Sequence, residues 1–386
     1  ALELDPHFFL AHYFTGVANL QYVQNRTVTT STSPALDRDQ DARGYLNASV
    51  TAFTACLTER PDFPWPRLLR GVSLAGLGLF DAAHSDFDLA EKTPPETIGL
   101  FDPALFQYAL KMNRGSVDLQ QKRYREAAEL FQSAAVLKPE NADPLINLSL
   151  VQRAQEQDEA ALVTLTKAIE KEPTRAQAFR LRAEEHLRLG AGDAAEEDFR
   201  RVIDLDDEDS VQAAALVEIA KIHFRAGQIP QAIVNARQAL VLAPREAPTH
   251  RLLAEALLAN QQEAEATEEF TRFLELDQPV GDVYRARGLA FAKQRKYRQA
   301  INDYTRSLEL EASPNILTRR GWAYLLQAQQ LALQDFDEAI RLNPENGDSY
   351  NGRGFARALL GEQPKVDSVA DLLWAVIMLP EYQLLR

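Results

Sequence analysis

One spacing recurs along this 386-residue chain and restricts what it can fold into. Gly71 is followed twelve residues later by Ala83, four later by Phe87, three later by Ala90 and five later by Pro95. The same steps join Gly115, Ala127, Phe131, Ala134 and Pro139, then Ser149, Ala161, Leu165, Ala168 and Pro173, then Ala220, Ala232, Ala236, Ala239 and Pro244. From a closing proline to the next small residue is usually ten, as from Pro139 to Ser149, so the period is about 34 residues. Weaker copies begin at Ala183, Ala254, Gly288, Gly321 and Gly354, and Gly16 pairs with Ser49, Phe53, Cys56 and Pro61 across a long insertion. The chain therefore reads as about ten helix pairs.

The steps have a physical basis. Two antiparallel helices approach closely only where side chains are small, so Gly71 faces Ala83 while Phe87 fills the space beside them and Ala90 lets the next pair stack. Ala127, Leu130, Phe131 and Ala134 fall on one helical stripe. Pro66, Pro144, Pro230, Pro248 and Pro364 fall near expected helix starts, where a missing N–H costs nothing. Pro139, Pro173, Pro244 and Pro344 fall just past expected ends. Each pair alone leaves an apolar face that its neighbours must cover, which defines an all-α solenoid. Two stretches break the period. Residues 25–41, polar and rich in Thr and Ser, predict a long exposed loop. Residues 96–112, with Leu100, Phe101, Leu105, Phe106 and Tyr108, predict an extra helical turn or a lengthened helix.

The repeats also act as an alignment within one molecule. Arg70, Arg182, Arg287, Arg320 and Arg353 precede the small residue, and in the same repeats Asp86, Asp198, Asp303, Asp335 and Asp371 precede the bulky one. Where the arginine is missing the aspartate is missing too, as in Leu148 with Thr164 and Ile219 with Asn235. The partial exceptions are Arg114 with Leu130 and Leu253 with Glu269. These positions lie at nearly one height on facing helices, so a register-setting Arg–Asp bridge is expected in each of the five matched repeats.

The spacing resembles the tetratricopeptide repeat across essentially the whole chain. That resemblance implies a right-handed α-α superhelix, here a single solenoid over residues 1–386 cut through a repeat at both ends: Pro6 closes a preceding pair and Tyr382 to Arg386 would open another. The Arg-Gly and Asp-aromatic variant, in Tyr350 to Arg357 and Tyr297 to Leu308, looks like the arrays attached to bacterial Ser/Thr protein kinases. It implies a kinase domain N-terminal to this chain. The chain itself shows no glycine-rich phosphate loop, H-R-D loop or D-F-G.

No other chemistry emerges from the residues. The formal net charge of -14, spread along the chain, argues against nucleic acid as a general partner. Cys56 stands alone, so no disulfide framework or cysteine metal site is expected. No apolar run approaches the ~18 residues of a membrane span, and Leu372 to Pro380 is too short. No secretory signal opens the chain, and a cytoplasmic location is expected. His7, His12, His84, His186, His223 and His250 lack metal spacing, and H-E-x-x-H is missing. Residues 71–76 lack the second glycine position of a nucleophile elbow, and the acidic run Asp206 to Asp209 reads as solvated. An enzyme, a cofactor and a metal are therefore not expected. The expected activity is protein or peptide binding in the groove lined by the first helix of each pair, with self-association as the alternative. Positions three before and one after the small site present Tyr13, Met112 and Ile146, with Trp65 nearby, in the first half. The second half presents Arg180, Arg251, Arg285 and Asn351, with Trp322 and Phe355, a basic stretch suited to acidic groups of an extended or helical peptide. Arg180 and Arg251 each have a glutamate four residues on, Glu184 and Glu255, and would otherwise form surface pairs; Arg285 has Leu289 there.

Overall fold

The computed structural model describes residues 9–29, 35–92, 102–325 and 327–361. Every regular element among them is a helix. The chain divides into two compact units, residues 1–198 and 199–386. The first holds α1 (Phe9–Thr29), α2 (Ala35–Glu59), α3 (Pro64–Gly76), α4 (Phe80–Glu91), α5 (Pro103–Gln120), α6 (Tyr124–Leu137), α7 (Asp143–Ala154), α8 (Asp158–Lys171) and α9 (Ala176–Arg188). The boundary falls inside α10 (Gly192–Leu205). The second unit continues with α11 (Asp209–Arg225), α12 (Ile229–Leu242), α13 (Ala247–Ala259), α14 (Glu263–Leu276), α15 (Gly281–Lys293), α16 (Tyr297–Leu310), α17 (Pro314–Tyr324), α18 (Gln329–Leu342) and α19 (Gly347–Leu359). Odd and even helices pair as the period requires. The partner expected for α19, around Ser368 to Pro380, lies outside the described residues.

The small and bulky positions form the core. Phe53, Phe87, Phe131 and Leu165 in the first unit, and Phe270, Tyr304 and Phe336 in the second, are all at most 1% exposed. A Cβ on Gly71, Gly115, Gly288 or Gly321 would lie 2.6–2.9 Å from the ring of Phe87, Phe131, Tyr304 or Phe336 in the same hairpin. Prolines open α3, α5, α7, α13 and α17 within the first turn, where no donor is lost.

The turns inside the hairpins share one geometry. The residue seven after the small site is left-handed: Gly78, Lys122, Glu156, Gly190, Gly227, Gln261 and Arg295 all have φ between 58° and 80°. Around Glu156, the Gln157 N–H donates to Gln152 O and the Glu156 N–H to Arg153 O, both at 2.9 Å, closing the helix end with paired reverse bonds. The repeat that begins at Gly321, one residue short, has Ala328 at this point with φ -153°. Non-glycine residues here carry a steric cost. Glu156→Gly is therefore expected to leave the fold intact and raise stability by up to about 1 kcal/mol, reversing the usual penalty for glycine, as urea denaturation would measure.

The predicted loop over residues 25–41 is corrected where it is described: α1 runs on to Thr29 and α2 begins at Ala35. The two helices stay paired beyond Gly16 and Phe53, with Leu20 and Leu46 buried and the rings of Tyr22 and Tyr45 4.2 Å apart. That contact outweighs the weak helix propensity of the Thr-rich sequence. Residues 30–34 lie outside the described set. Helix α5 has 18 residues and α11 has 17, against 11–13 in α3, α7, α9, α13, α15 and α17.

Candidate protein-binding face

The first helices carry the expected binding residues, and an ion-pair ladder fixes their height. Arg70 donates Nε and Nη2 to Asp86, both at 2.7 Å. Arg182 holds Asp198, Arg287 holds Asp303 and Arg320 holds Asp335 with the same two-pronged geometry at 2.7–2.8 Å. The fifth expected partner, Asp371, lies outside the described residues. The aspartates are 3–6% exposed and the arginine side chains 16–22%. The bond to the aspartate pushes the already high arginine pKa further up for Arg70, Arg182 and Arg320, so these cations are permanent.

A third member of the ladder escaped the sequence reading. The Nη1 of each arginine donates to a threonine hydroxyl on the second helix of the preceding hairpin: Arg70 to Thr54 at 3.2 Å, Arg182 to Thr166 at 3.4 Å, Arg287 to Thr271 at 2.9 Å and Arg320 to Thr305 at 3.0 Å. This threonine directly follows the bulky core residue. Asp88 and Asp337 occupy the same place, and accept from Arg114 at 3.0 Å and Arg353 at 3.2 Å. Arg70, Arg182, Arg287 and Arg320 thus each tie their own hairpin together and also tie it to the one before.

The candidate binding residues are partly engaged in packing. Tyr13 lies half-buried with its ring 6.2 Å from Phe53 and 5.7 Å from Phe14, and burial pushes its phenol up. Trp65 meets Phe106 edge-on at 5.2 Å. Ile146 is 1% exposed and belongs to the core, while Met112 is half-buried. Trp322 packs against Phe336 at 5.6 Å and Phe355 at 5.8 Å, and these are two candidate residues that the fold brings together. Asn351 is half-buried, with its side-chain oxygen shielded from solvent and without a hydrogen-bond partner.

The three candidate cations are paired along their own helices. Arg180 donates to Glu184 and Arg251 to Glu255 at 2.9 Å, as their four-residue spacing allows. Arg285, expected to stand apart because Leu289 occupies that spacing, donates instead to Asp282 three residues before it, at 3.0 and 3.2 Å. All three side chains are 40–44% exposed. Such exposed pairs are worth only about 0.3–0.5 kcal/mol, so an incoming carboxylate can replace the intramolecular one cheaply. Between these pairs Val217, Phe224, Leu258, Leu289 and Trp322 keep part of their apolar surface on the first helices of the second unit.

Titration behaviour follows burial. Cys56 is fully buried with its S–H directed at Phe9 O, 3.6 Å away, and its thiol is pushed up to about 11, first by burial and then by Glu59. A thiol raised in this way adds stability that is fully present below its ordinary range and lost as pH rises through about 11. The native chain is therefore expected to resist iodoacetamide at pH 8, with alkylation at least about tenfold faster once α1 and α2 separate in denaturant. Among the described residues no group of three or more His, Cys, Asp or Glu side chains is arranged to hold a metal ion. No helix among them is long and apolar enough to cross a membrane.

Paired helices of this length, small-to-aromatic contacts and a repeating bridge define a helical-hairpin repeat protein. The family models described as tetratricopeptide repeat match residues 118–185, 217–279 and 285–347. The chain belongs to the tetratricopeptide repeat family, whose fold supports a protein–protein interaction scaffold. No match was found among the curated proteins. Among solved structures, the C-terminal part of a TPR repeat-containing protein from Cytophaga hutchinsonii is 17% identical, with a TM-score of 0.53 over 62% of this chain and 98% of that one. A tetratricopeptide repeat protein from Parabacteroides merdae is 18% identical, with a TM-score of 0.45 over 67% and 98%. YrrB, described as a TPR protein with an unusual peptide-binding site, is 18% identical, with a TM-score of 0.44 over 49% and 96%. At this identity the likeness to the first of these shows the fold alone.

Proposed function

We propose that the chain is a non-catalytic scaffold that holds an extended or helical segment of a protein partner against the faces of its first helices. The observation that carries this reading is the alternation in the second unit of half-buried apolar side chains with replaceable ion pairs. Val217, Phe224, Leu258 and Leu289 offer contact area, while Lys221–Glu218, Arg251–Glu255 and Arg285–Asp282 offer charges held only by weak pairs. In the first unit Tyr13 and Arg180 occupy corresponding positions, with Trp65 nearby. Selection of peptides from a random display library on the intact chain tests this. The bound peptides are expected to shift methyl resonances of Val217, Leu258 and Leu289. Shifts confined to second-helix positions such as Val136 and Val241 would remove the reading.

The resemblance to kinase-linked arrays gives the scaffold a setting, as the recruiting arm of a bacterial Ser/Thr kinase in the cytoplasm. Sequencing the parent gene tests that directly, since a kinase domain is expected upstream of Ala1. Self-association through the same faces is the alternative, and sedimentation at several concentrations separates it from a monomeric scaffold.

A further inference from the structure

One hairpin of the second unit carries a polar atom in its core where the others carry none. Among the described residues the bulky site of each hairpin is Phe, Leu or Ala, except at α15–α16, where it is Tyr304. The Tyr304 side chain packs with Ile316 and Ala323 of the next hairpin and is 1% exposed. A Cβ on Gly288 would meet its ring at 2.9 Å, so the ring is wedged between α15 and α17. Its hydroxyl makes no hydrogen bond among the described residues. Burial pushes the phenol up to about 12; Arg319 on α17 and, more weakly, Arg285 on α15 act against burial, while Asp303 acts with it. The phenol therefore keeps its proton at neutral pH and is available as a donor. Arg319 stands two residues before the small Gly321. The same place in the next repeat is Gly352, where an added Cβ would run into the ring of Phe336, so this position faces the preceding hairpin's bulky residue.

Four arginines meet on these two first helices. Arg287 and Arg320 are each matched by a ladder aspartate, and Arg285 by Asp282. Arg319 is exposed and has no ion pair among the described residues. One of the four cations is thus unmatched, and it lies beside a phenol O–H without an acceptor. We propose that Tyr304 and Arg319 anchor one aspartate or glutamate side chain of a partner protein. The phenol donates to one carboxylate oxygen and Arg319 to the other, and Arg285 adds attraction as its exposed pair with Asp282 loosens. A single unmatched charge suits a carboxylate better than a phosphate, which carries roughly -1.5 to -2 at pH 7. First helices continue on both sides, with Leu258 on α13 and Phe355 on α19, so the anchored group belongs inside a bound segment and not at its free C-terminus. The proposal rests on the reading that the first-helix face binds a partner, and it names the residue type that this face selects.

The test titrates the full chain with N-acetylglutamate methylamide, its glutamine counterpart and its phosphoserine counterpart, read by NMR on the Tyr304 ring and the Arg319 side chain. The glutamate probe is expected to shift both saturably, at least about tenfold more tightly than the glutamine probe. Tyr304→Phe keeps the ring that other hairpins use, so urea denaturation is expected to stay nearly unchanged while the glutamate probe binds at least about fivefold more weakly. Arg319→Gln, at an exposed position, is expected to remove the preference for glutamate over glutamine. These probes do not need the rest of the face. A glutamate response in a chain that selects no display peptide would support the anchor and remove the wider reading. Selected peptides that lose nothing when their acidic residues become glutamine would keep the wider reading and overturn the anchor. Equal responses to glutamate and glutamine, a native response retained in either variant, or tighter binding of the phosphoserine probe would also overturn it.

Discussion

Phe131→Ala is expected to cost about 3–5 kcal/mol. The ring is completely buried, lies against Gly115 and shares a cluster with Ala127, Leu148 and Val151 from its own and the next hairpin. Truncation leaves a cavity at the point where two hairpins stack, so neighbouring repeats lose support as well. Urea denaturation gives the magnitude. Hydrogen exchange is expected to show α5 to α8 opening first, with the second unit protected much as before. Val136→Ala on α6, where the side chain is 79% exposed, is the control and is expected to change stability by less than about 0.5 kcal/mol.

Asp303→Ala is expected to cost about 2–4 kcal/mol, because it strands the charge of Arg287 in a site where that side chain is only 16% exposed. Arg287 keeps its bond to Thr271 and its position over Tyr284 and Phe291, 5.6 and 5.9 Å from the ring centres, but neither replaces a carboxylate. Combining Asp303→Leu with Arg287→Met is expected to recover most of the loss, since an apolar pair of similar volume avoids both desolvation costs. The chain itself drops both charges together where Leu148 goes with Thr164 and Ile219 with Asn235. A double variant as unstable as Asp303→Ala would mean that the pair acts through something other than mutual neutralisation. Thr271→Val separates the two duties of the arginine. It is expected to loosen α14 from α15 by about 1 kcal/mol while leaving the hairpin α15–α16 intact.

The hairpins were legible in the sequence because their determinants are local and repeated: a glycine admits a ring, and the twelve-residue step brings the two together. The Arg–Asp bridges were legible for a related reason, since the repeats show both partners present or both absent. The threonine was equally available, as Thr54, Thr166, Thr271 and Thr305 each follow a bulky core residue and precede a ladder arginine by 15 or 16 positions. It was missed because its partner lies in the next repeat, and columns compared within a repeat do not expose a contact between repeats. The stretch 25–41 misled for another reason. Thr and Ser composition reports local propensity, and the packing of Tyr22 against Tyr45 is a tertiary contact that no local pattern displays. At Arg285 only the forward four-residue spacing was weighed, whereas the acceptor, Asp282, lies one turn back.

On the proposed reading, binding belongs to the first-helix faces. Charge reversal on each side of the second unit tests it most directly, with affinity for a display-selected peptide measured by calorimetry. Arg285→Glu and Leu289→Glu lie on α15, while Val241→Glu lies on α12 at a side chain 81% exposed. Both α15 variants are expected to weaken binding by at least about tenfold, roughly 1.4 kcal/mol, while Val241→Glu leaves it unchanged. Unchanged binding in both α15 variants, with loss in Val241→Glu, would contradict it.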